Sequence, residues 1–278
     1  MNDKEQKVWF ITGSSTGFGR EIAQQALESG YRVVATARNT DKLKDLTEAY
    51  PEQAISLTLD VTDKAQIEKA VKDAVDTFGQ IDVLVNNAGY GLMGAIEELS
   101  DKQIRSQFET NVFGLLNVTR AILPQLRQQK SGHIVMMSSI AGLVGKPPGF
   151  GIYNATKHAV EGISETLANE IEPFGIGLTI VEPGPFRTEF NESSLAQAEA
   201  MEEYSATVGQ TRQFIAQEFS NIASDPQAGV QAIIQAIESE NPPLRLLLGK
   251  PALKNARQQL SAMMSEIDRW EELTLSVD

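Results

Sequence analysis

The chain has 278 residues, 41% of them hydrophobic, which suits a single α/β domain, 1–278, with a sizeable core. Its formal net charge of −13 would repel nucleic acid, and the lack of cysteine, with only His133 and His158 as imidazoles, leaves no disulfide frame and no metal site. The N-terminus lacks an apolar signal segment and no apolar run approaches membrane-spanning length, so we expect a cytoplasmic protein with no membrane partner.

Apolar runs of strand length alternate along the chain with amphipathic stretches of helix length. This alternation is typical of a parallel sheet with helices on both faces, so we predict a doubly wound α/β fold of about seven strands. The predicted strands lie near 7–12, 31–37, 54–60, 81–86, 132–138, 176–182 and 244–248. The predicted helices lie near 17–29, 40–49, 63–78, 100–129, 152–172 and 226–239, with a last one from about 252.

The first strand is followed by a glycine-rich loop, Thr12–Gly19, with the spacing T-G-x-x-x-G-x-G. This spacing is wider than the G-x-G-x-x-G of the common dinucleotide fingerprint. Strand, glycine loop and helix in this order form a phosphate cradle, because the glycines let the backbone approach an anion and the helix N-terminus offers free N–H groups. The residues expected to contact the ligand here are Gly13, Ser15, Thr16, Phe18 and Gly19.

Polar or glycine motifs also follow four other predicted strands: Asp60-Val61, Asn86–Gly89, Ser138-Ser139 and Pro183-Gly184. In parallel sheets of this type, ligands bind beyond the carboxyl ends of the strands. We therefore expect these motifs and the glycine loop to meet at one rim of the sheet, where the active site lies.

Tyr153 and Lys157 lie four residues apart in a predicted helix, so their side chains share one face. An ammonium beside a phenol stabilises the phenolate, so we expect Lys157 to lower the tyrosine pKa from its reference value of about 10. A tyrosine tuned in this way exchanges protons near neutral pH, as the reduction of a ketone or the oxidation of an alcohol requires.

Two segments interrupt the alternation of strands and helices. Gly142–Gly151 is a loop by its proline and glycine content, and 186–225 is a long insertion without a predicted strand. A long insertion beside an active site often acts as a lid. Its large apolar residues are Phe186, Phe190, Leu195, Met201, Tyr204, Val208, Phe214, Ile215 and Phe219, and the facing loops add Leu92, Met93, Leu143, Val144 and Phe150. Such a lid favours bulky, uncharged carbonyl compounds.

Taken together, Thr12–Gly19, Asn86–Gly89, Asn111, Ser138-Ser139, Tyr153-x-x-x-Lys157 and Pro183-Gly184 occur in the order seen in the short-chain dehydrogenase/reductase family. The chain resembles that family from about residue 7 to about residue 190. The resemblance implies a Rossmann-type fold, a nicotinamide cofactor and a catalytic quartet of Asn111, Ser139, Tyr153 and Lys157.

In the roles that the resemblance implies, Ser139 holds the substrate carbonyl oxygen and Tyr153 delivers the proton. Lys157 binds the nicotinamide ribose, and Asn111 holds a water that links Lys157 to solvent. The family usually places its serine one residue closer to the tyrosine than Ser139 is here. Ser138 therefore stays open as an alternative catalytic hydroxyl.

The end of the second predicted strand bears on the choice of cofactor. NAD-specific Rossmann domains carry an acidic residue there, whereas this chain has Arg38, whose guanidinium attracts a 2′-phosphate. We therefore expect NADP(H) to be preferred over NAD(H), although Thr16 stands where NADP-preferring relatives often carry a second basic residue. The remaining cofactor contacts implied by the resemblance are Asp60 and Val61 at the adenine, Asn86 and Gly89 at the adenosine and ribose with Asn87 and Ala88, Thr188 at the nicotinamide amide, and Pro183, Gly184 and Phe186.

The motifs predict an NADPH-dependent carbonyl reductase or alcohol dehydrogenase that acts on a lipophilic ketone or secondary alcohol. Ile140–Gly145 and Glu182–Pro185 resemble the hydroxysteroid and retinol dehydrogenase branch of the family. One alternative is a 3-ketoacyl thioester reductase, against which the acidic residues of 186–225 argue, since an acyl carrier protein needs a basic patch. The non-enzyme alternative is an NADPH-sensing regulator.

A homodimer or homotetramer is expected from the helix of Tyr153. One face carries the small residues Ala155, Ala159, Gly162 and Thr166, and the opposite face carries Val160, Ile163, Leu167 and Ile171. The neighbouring helix offers Ile104, Phe108, Val112, Leu115 and Ile122. The family uses such helices as a four-helix interface, whereas the other interpretation is that both faces pack within one chain.

Overall fold

The computed structural model describes residues 7–145, 147–189 and 194–277, without the side chain of Ser220. Its main sheet has seven parallel strands in the order β3-β2-β1-β4-β6-β7-β9. Strands β5 and β8 form a separate parallel pair. The strands are β1 (Val8–Ile11), β2 (Arg32–Ala37), β3 (Ala54–Thr58), β4 (Val83–Asn86), β5 (Gly91–Met93), β6 (Gly132–Met137), β7 (Ile176–Pro183), β8 (Leu195–Gln197) and β9 (Arg245–Leu248).

Helices cover both faces of the main sheet. The α-helices are α1 (Gly17–Glu28), α2 (Lys44–Ala49), α3 (Lys64–Phe78), α4 (Asp101–Phe108), α5 (Leu115–Gln129), α6 (Gly151–Ile171), α7 (Gln210–Gln217), α8 (Phe219–Ile222), α9 (Pro226–Ile237), α10 (Lys250–Arg269) and α11 (Glu271–Leu275). Short 3-10 turns lie at Thr40–Leu43, Ile140–Gly142, Glu172–Phe174 and Glu202–Tyr204, and π-turns lie at Glu109–Gly114 and Ser205–Gly209.

The two faces follow from the alternation of side chains along each strand. In β1, Trp9 and Ile11 pack into the core formed with α1 and α9, whereas Val8 and Phe10 pack into the core formed with α3, α5 and α6. All four of these side chains are fully buried. The prediction of a Rossmann-type parallel sheet of about seven strands with helices on both faces is therefore confirmed.

Local signals explain where the helices begin and end. The Asp63 carboxylate accepts hydrogen bonds from the first backbone N–H groups of α3, and Gly79 ends that helix with φ +81. Ser100 and Gln103 form a capping box at α4. The helix predicted at 100–129 is continuous from α4 to α5, but it contains the π-turn Glu109–Gly114. The spacing of apolar residues along the sequence does not reveal such a turn.

The prediction that 186–225 contains no strand is wrong. Strand β8 pairs with β5, and α7 and α8 follow it. Both strands have only three residues, which is too short for a period-of-two pattern to stand out. Phe190 and Glu192, which belong to the predicted insertion, lie outside the described residues. Within the described part of the chain, no helix is long and apolar enough to cross a bilayer.

Candidate active site

The glycine-rich loop is tied to the loop after β4 by side chains rather than by backbone ladders. The Thr12 hydroxyl accepts hydrogen bonds from the backbone N–H groups of Asn87 (2.9 Å) and Ala88 (3.0 Å). In return, the Asn87 amide donates to the carbonyl oxygens of Thr12 (2.9 Å) and Gly13 (3.1 Å). A Cβ on Gly19 would lie 2.3 Å from the Gly13 oxygen, so only glycine lets α1 approach this closely.

The N-terminus of α1 already holds an anionic group. The backbone N–H of Gly17, the first residue of the helix, donates a 3.0 Å hydrogen bond to the Glu189 carboxylate. Free N–H groups and the helix dipole make such a terminus a site for anions. The carboxylate shows that this loop presents donors to negative charge, as a pyrophosphate would require.

Arg38 and Asp60 lie near each other, beyond the ends of β2 and β3. Arg38 directly follows β2 and is exposed, and its charge acts on Asp60. Although burial opposes it, hydrogen bonds from the Thr62 backbone and hydroxyl, together with the Arg38 charge, hold the pKa of Asp60 below its ordinary value. Asp60 is therefore ionised at neutral pH, and the Arg38 guanidinium faces the cavity as a cation.

The residues placed at one rim by the sequence line a single cavity of about 1680 Å³. This exceeds the roughly 300–1,000 Å³ of a site for one small ligand, so a dinucleotide and a substrate fit together. The predicted site residues that line it are Gly13, Ser15, Thr16, Phe18, Arg38, Asp60, Val61, Asn87, Ala88, Gly89, Ser139, Tyr153, Lys157, Pro183, Gly184, Phe186 and Thr188.

Three predicted residues lie outside this lining. Gly19 packs against the Gly13 backbone, as described above. Asn86, expected at the adenosine and ribose side, is buried in the sheet and donates to the Thr119 hydroxyl at 2.8 Å. That expectation is wrong because Asn86 is the last residue of β4 and is buried in the sheet, whereas Asn87 follows the strand and lines the cavity.

The third is Asn111, which lies in the π-turn between α4 and α5. Its amide donates to the Tyr90 carbonyl at 2.9 Å and to the Thr156 hydroxyl at 3.2 Å, and its oxygen accepts from the Tyr90 backbone N–H at 3.1 Å. Asn111 thus fastens the loop after β4 to the helix of Tyr153. π-turns inside α-helices are frequent at functional sites. The water-binding role implied for Asn111 stays a prediction.

Tyr153 and Ser139 come together in the lining of the cavity. Ser139 ends the run after β6, and its hydroxyl accepts the backbone N–H of Ala141 at 3.1 Å. It also hydrogen-bonds the Tyr153 phenol. Ser138 has a buried hydroxyl with no partner among the described residues. Phe150 packs edge-on against the Tyr153 ring, with centroids 6.1 Å apart.

The expectation that Tyr153 has a lowered pKa is wrong, because burial dominates. Burial raises the pKa of Tyr153 to about 12, and the hydrogen bond with Ser139 only partly opposes this. Lys157 Nζ lies 5.7 Å from the tyrosine ring centroid and donates to the Met137 carbonyl at 2.7 Å. Burial lowers the pKa of Lys157 to about 8, opposed by the negative charge of Glu161. In both groups, desolvation therefore outweighs the neighbouring contact that favours the charged form, which is the Ser139 hydrogen bond for Tyr153 and the Glu161 charge for Lys157.

Beneath Lys157 lies an ion cluster that the sequence did not reveal. Arg245, at the start of β9, forms ion pairs with Glu161, Glu165 and Glu182. The side chains of Glu161 and Glu182 are 6% and 0% exposed. Burial, together with the nearby Glu161 charge, raises the pKa of Glu182 well above its ordinary value. The only sequence signal was the spacing of Glu161, four residues after Lys157 on the same helix.

The insertion contributes part of its apolar side chains to the cavity. Those that line it, with their neighbours from the facing loops, are Phe186, Leu195, Phe214, Ile215, Phe219, Val144 and Phe150. Others pack elsewhere: the Tyr204 hydroxyl donates to Glu97 at 2.7 Å, and Val208 packs beside Gly149. Helix α10 also lines the cavity, through Asn255, Gln258, Gln259 and Ala262, which the sequence did not indicate. Among the described residues, no cluster of acidic or histidine side chains could hold a metal ion.

Residues 7–199 match the family model for short chain dehydrogenases. Oxidoreductase BOA17 of Botryotinia fuckeliana is 40% identical, over 97% of this chain and 98% of its own length. A 3-ketodihydrosphingosine reductase of Bacteroides thetaiotaomicron is 35% identical over 88% of both chains. Human retinol dehydrogenase 8 is 38% identical, over 84% of this chain and 79% of its own.

Solved structures show the same likeness. A short-chain dehydrogenase from Streptomyces avermitilis superposes with a TM-score of 0.92, at 43% identity over 98% of both chains. A short chain dehydrogenase/reductase from Burkholderia phymatum in complex with NAD gives 0.82 at 26% identity, over 96% of this chain and 97% of its own. An alcohol dehydrogenase from Thermococcus sibiricus with 5-hydroxy-NADP gives 0.72 at 25% identity, over 87% and 96%. The chain therefore belongs to the short-chain dehydrogenase family, whose members are nicotinamide-dependent oxidoreductases acting on CH–OH groups.

Proposed function

We propose that this protein is an NADPH-dependent carbonyl reductase, working reversibly as an alcohol dehydrogenase, for lipophilic ketones or secondary alcohols. The observation that carries the proposal is the contact between Ser139 and Tyr153, with Lys157 behind them, at one end of a cavity large enough for a dinucleotide. The domain would span the whole chain, with 186–225 covering the substrate.

The donor set fits a phosphorylated dinucleotide. Gly17 offers a backbone N–H that already binds a carboxylate, Gly13 and Asn87 line the cavity, and Arg38 in the same lining would attract a 2′-phosphate. When bound, the cofactor supplies the hydride. The protein's own residues have to orient the carbonyl, neutralise its developing charge and provide a proton.

Ser139 is placed to donate a hydrogen bond to the carbonyl oxygen, because its hydroxyl lies beside the Tyr153 phenol. Tyr153, whose pKa is raised to about 12 by burial, keeps its proton at neutral pH and is ready to deliver it in the reductive direction. An alkoxide is a far stronger base than a phenolate, so the transfer is downhill. The Lys157 ammonium, 5.7 Å from the tyrosine ring, then stabilises the phenolate that forms.

The cofactor preference is tested at Arg38. Because a guanidinium attracts a 2′-phosphate, we expect NADPH to bind at least several-fold more tightly than NADH. Arg38→Ala should narrow that gap by weakening NADPH binding while leaving NADH almost unchanged. Dissociation constants from fluorescence titration give the comparison. Arg120→Ala, at an exposed arginine outside the cavity, serves as the control.

Equal affinity of the wild-type protein for NADPH and NADH would contradict the preference. So would an Arg38→Ala variant that loses affinity for both cofactors equally, since that result would indicate a general rather than a phosphate-specific contact. The reaction class would stand in either case, because it rests on Tyr153 and Ser139.

The substrate class follows from the apolar wall. Phe214, Ile215 and Phe150 line the cavity together with few charged groups at that end. Two relatives bear names that refer to lipophilic compounds, retinol and 3-ketodihydrosphingosine. Apolar walls with a few oriented polar groups select by bulk and exclude hydrated substrates.

We therefore expect a higher kcat/KM for a steroid or aryl ketone than for a triose or a small keto acid. Phe214→Ala should reduce the preference for the bulky ketone. The matched control is Phe174→Ala, since Phe174 is 42% exposed, close to the 43% of Phe214, but lies outside the cavity. A better kcat/KM for the polar compounds would mean that this wall is not a lipophilic site.

A homo-oligomer is also part of the proposal. On α6, Ala155, Gly162 and Thr166 are exposed, whereas Val160 and Ile171 on the other face are buried in the core. The face of small residues is therefore open to a partner, and Phe113, 50% exposed, is available on the neighbouring π-turn. Small residues let helices approach closely, so this face suits helix packing between two copies.

A further inference from the structure

The C-terminal helix α10 leaves the body of the molecule after its first turns. Ala252 and Ala256 are its buried residues, packed at the end of β9. Every residue from 260 to 277 is exposed, through the rest of α10 and all of α11. A lone helix of this length is only marginally stable in water, so tertiary or quaternary packing has to support it.

The exposed part of α10 carries an apolar stripe. Leu253, Leu260, Met264 and Ile267 recur at spacings of seven, four and three residues, which places them on one side of the helix. They are 42%, 57%, 58% and 60% exposed, respectively. Met263, Trp270, Leu273 and Leu275 extend this exposed apolar surface.

This surface is larger than a monomer ordinarily leaves in water. Eight large side chains, each about half exposed, offer several hundred Å², approaching the roughly 800 Å² that each partner buries in an interface of standard size. Contiguous apolar patches of this size usually mark a contact with another protein or with a membrane. The apolar stripe therefore indicates a binding partner.

A row of charged side chains along one edge of the apolar stripe indicates which partner covers the stripe. Lys250, Lys254 and Arg257 occupy the first turns of α10, Asp268 occupies its last turn, and Glu272 follows in α11. All five side chains are exposed, and no ion pair joins any of them to another described residue. The row is thus basic at one end and acidic at the other.

Within α10, one base and one acid of this row are placed symmetrically about Ser261. Lys254 lies seven residues before it and Asp268 seven residues after it. In an antiparallel pair of identical helices crossing at Ser261, Lys254 of each copy therefore faces Asp268 of the other. The same arrangement brings the two apolar stripes together, as a self-complementary two-fold interface requires.

Other occupants fit less well. In a parallel pair, Lys254 would face its own copy and Asp268 would do the same, so like charges would meet. Helices that lie on membranes carry lysine and arginine along their polar face, whereas the second half of this row is acidic and the chain has a formal net charge of −13. An anionic lipid surface would repel it.

We propose that two copies of this chain associate through antiparallel pairing of α10 about a two-fold axis at Ser261. This contact is distinct from the face of small residues on α6, so both together would give a tetramer. It also bears on the active site, because Asn255, Gln259 and Ala262 on another side of α10 line the cavity. Pairing would hold that wall in place.

A charge swap tests the pairing. Lys254→Glu and Asp268→Lys, made singly, each place like charges opposite one another twice in the two-fold pair. We expect each to weaken association by roughly tenfold or more, and the double variant to restore it to near the wild-type value. Sedimentation equilibrium at low and high salt measures the dissociation constants. Lys72→Glu, an equal charge change at an exposed site on α3, should leave association unchanged.

Leu260→Asp with Ile267→Asp should abolish this contact and halve the particle mass. A wild-type monomer of 30.3 kDa would overturn both this interface and the α6 face. Wild-type mass in the Leu260→Asp/Ile267→Asp variant, or a double charge variant that associates no better than the single ones, would overturn the antiparallel pairing alone. Binding to phosphatidylcholine/phosphatidylserine vesicles, lost in the Leu260→Asp/Ile267→Asp variant while the protein stays monomeric, would assign the stripe to a membrane instead.

Discussion

Replacing Tyr153 by phenylalanine should lower kcat for ketone reduction by roughly a hundredfold or more while NADPH still binds. The change removes one hydroxyl, the proton that it carries and the contact with Ser139, and leaves the ring packed against Phe150. A positioned acid contributes on the order of 10²–10⁴ in rate. Steady-state turnover by NADPH absorbance, together with a fluorescence titration of NADPH, separates the chemical step from cofactor binding.

The control for this variant is Tyr90→Phe. Tyr90 lines the same cavity and loses the same atom, but its contacts with Asn111 are made by its backbone, so turnover should change little. Ser138→Ala should likewise be mild compared with Ser139→Ala, because only Ser139 contacts the phenol. If Tyr153→Phe retained more than about a tenth of the wild-type rate, Tyr153 would not be the general acid.

The fold could be read from the sequence because its signals are local. In β1, four consecutive apolar residues, Val8–Ile11, predict a strand buried on both faces, and the structure buries all four. The phosphate cradle was equally predictable from the sequence, since Gly13, Gly17 and Gly19 lie within a few residues of each other and act through their own backbone. Strands β5 and β8 were not predicted, because three residues are too few to show the two-residue alternation of a strand. Their pairing also joins residues that lie about a hundred positions apart in the sequence.

The electrostatics of the site could not be read in the same way. The spacing of Tyr153 and Lys157 correctly places both on one helix face, but burial sets their pKa values, and burial is a property of the assembled molecule. Similarly, Asn86 and Asn87 are adjacent and chemically identical, yet only one reaches the cavity. Which of the two does so depends on where β4 ends.

The ion cluster under Lys157 shows the same limit most clearly. Glu161 and Arg245 are 84 residues apart in the chain, and nothing in either local sequence indicates their contact. The cluster forms because β9, which carries Arg245, pairs with β7, which carries Glu182. One arginine thereby serves two carboxylates that have almost no access to water.

Arg245→Leu should therefore destabilise the protein by about 3–5 kcal/mol at pH 8, because it leaves Glu161 and Glu182 buried without the guanidinium that they share. The loss should be smaller at pH 5. The pKa of Glu182 is already raised in the folded state, so folding takes up a proton there, and stability falls as pH rises from the ordinary carboxyl pKa through the raised one. Removing the guanidinium raises that pKa further and widens the pH window of the loss.

Urea unfolding at pH 5 and pH 8, at equal protein concentration, measures both the size and the pH dependence of the loss in unfolding free energy. Arg105→Leu is the matched control, since it breaks an arginine–carboxylate pair with Asp101 whose side chains are 78% and 76% exposed, and solvent screens such pairs. Its stability should match the wild type at both pH values. An Arg245→Leu variant as stable at pH 8 as Arg105→Leu would mean that water or a rearranged side chain compensates the two carboxylates. If the loss were large but independent of pH, it would come from packing, and the cluster would not act through charge.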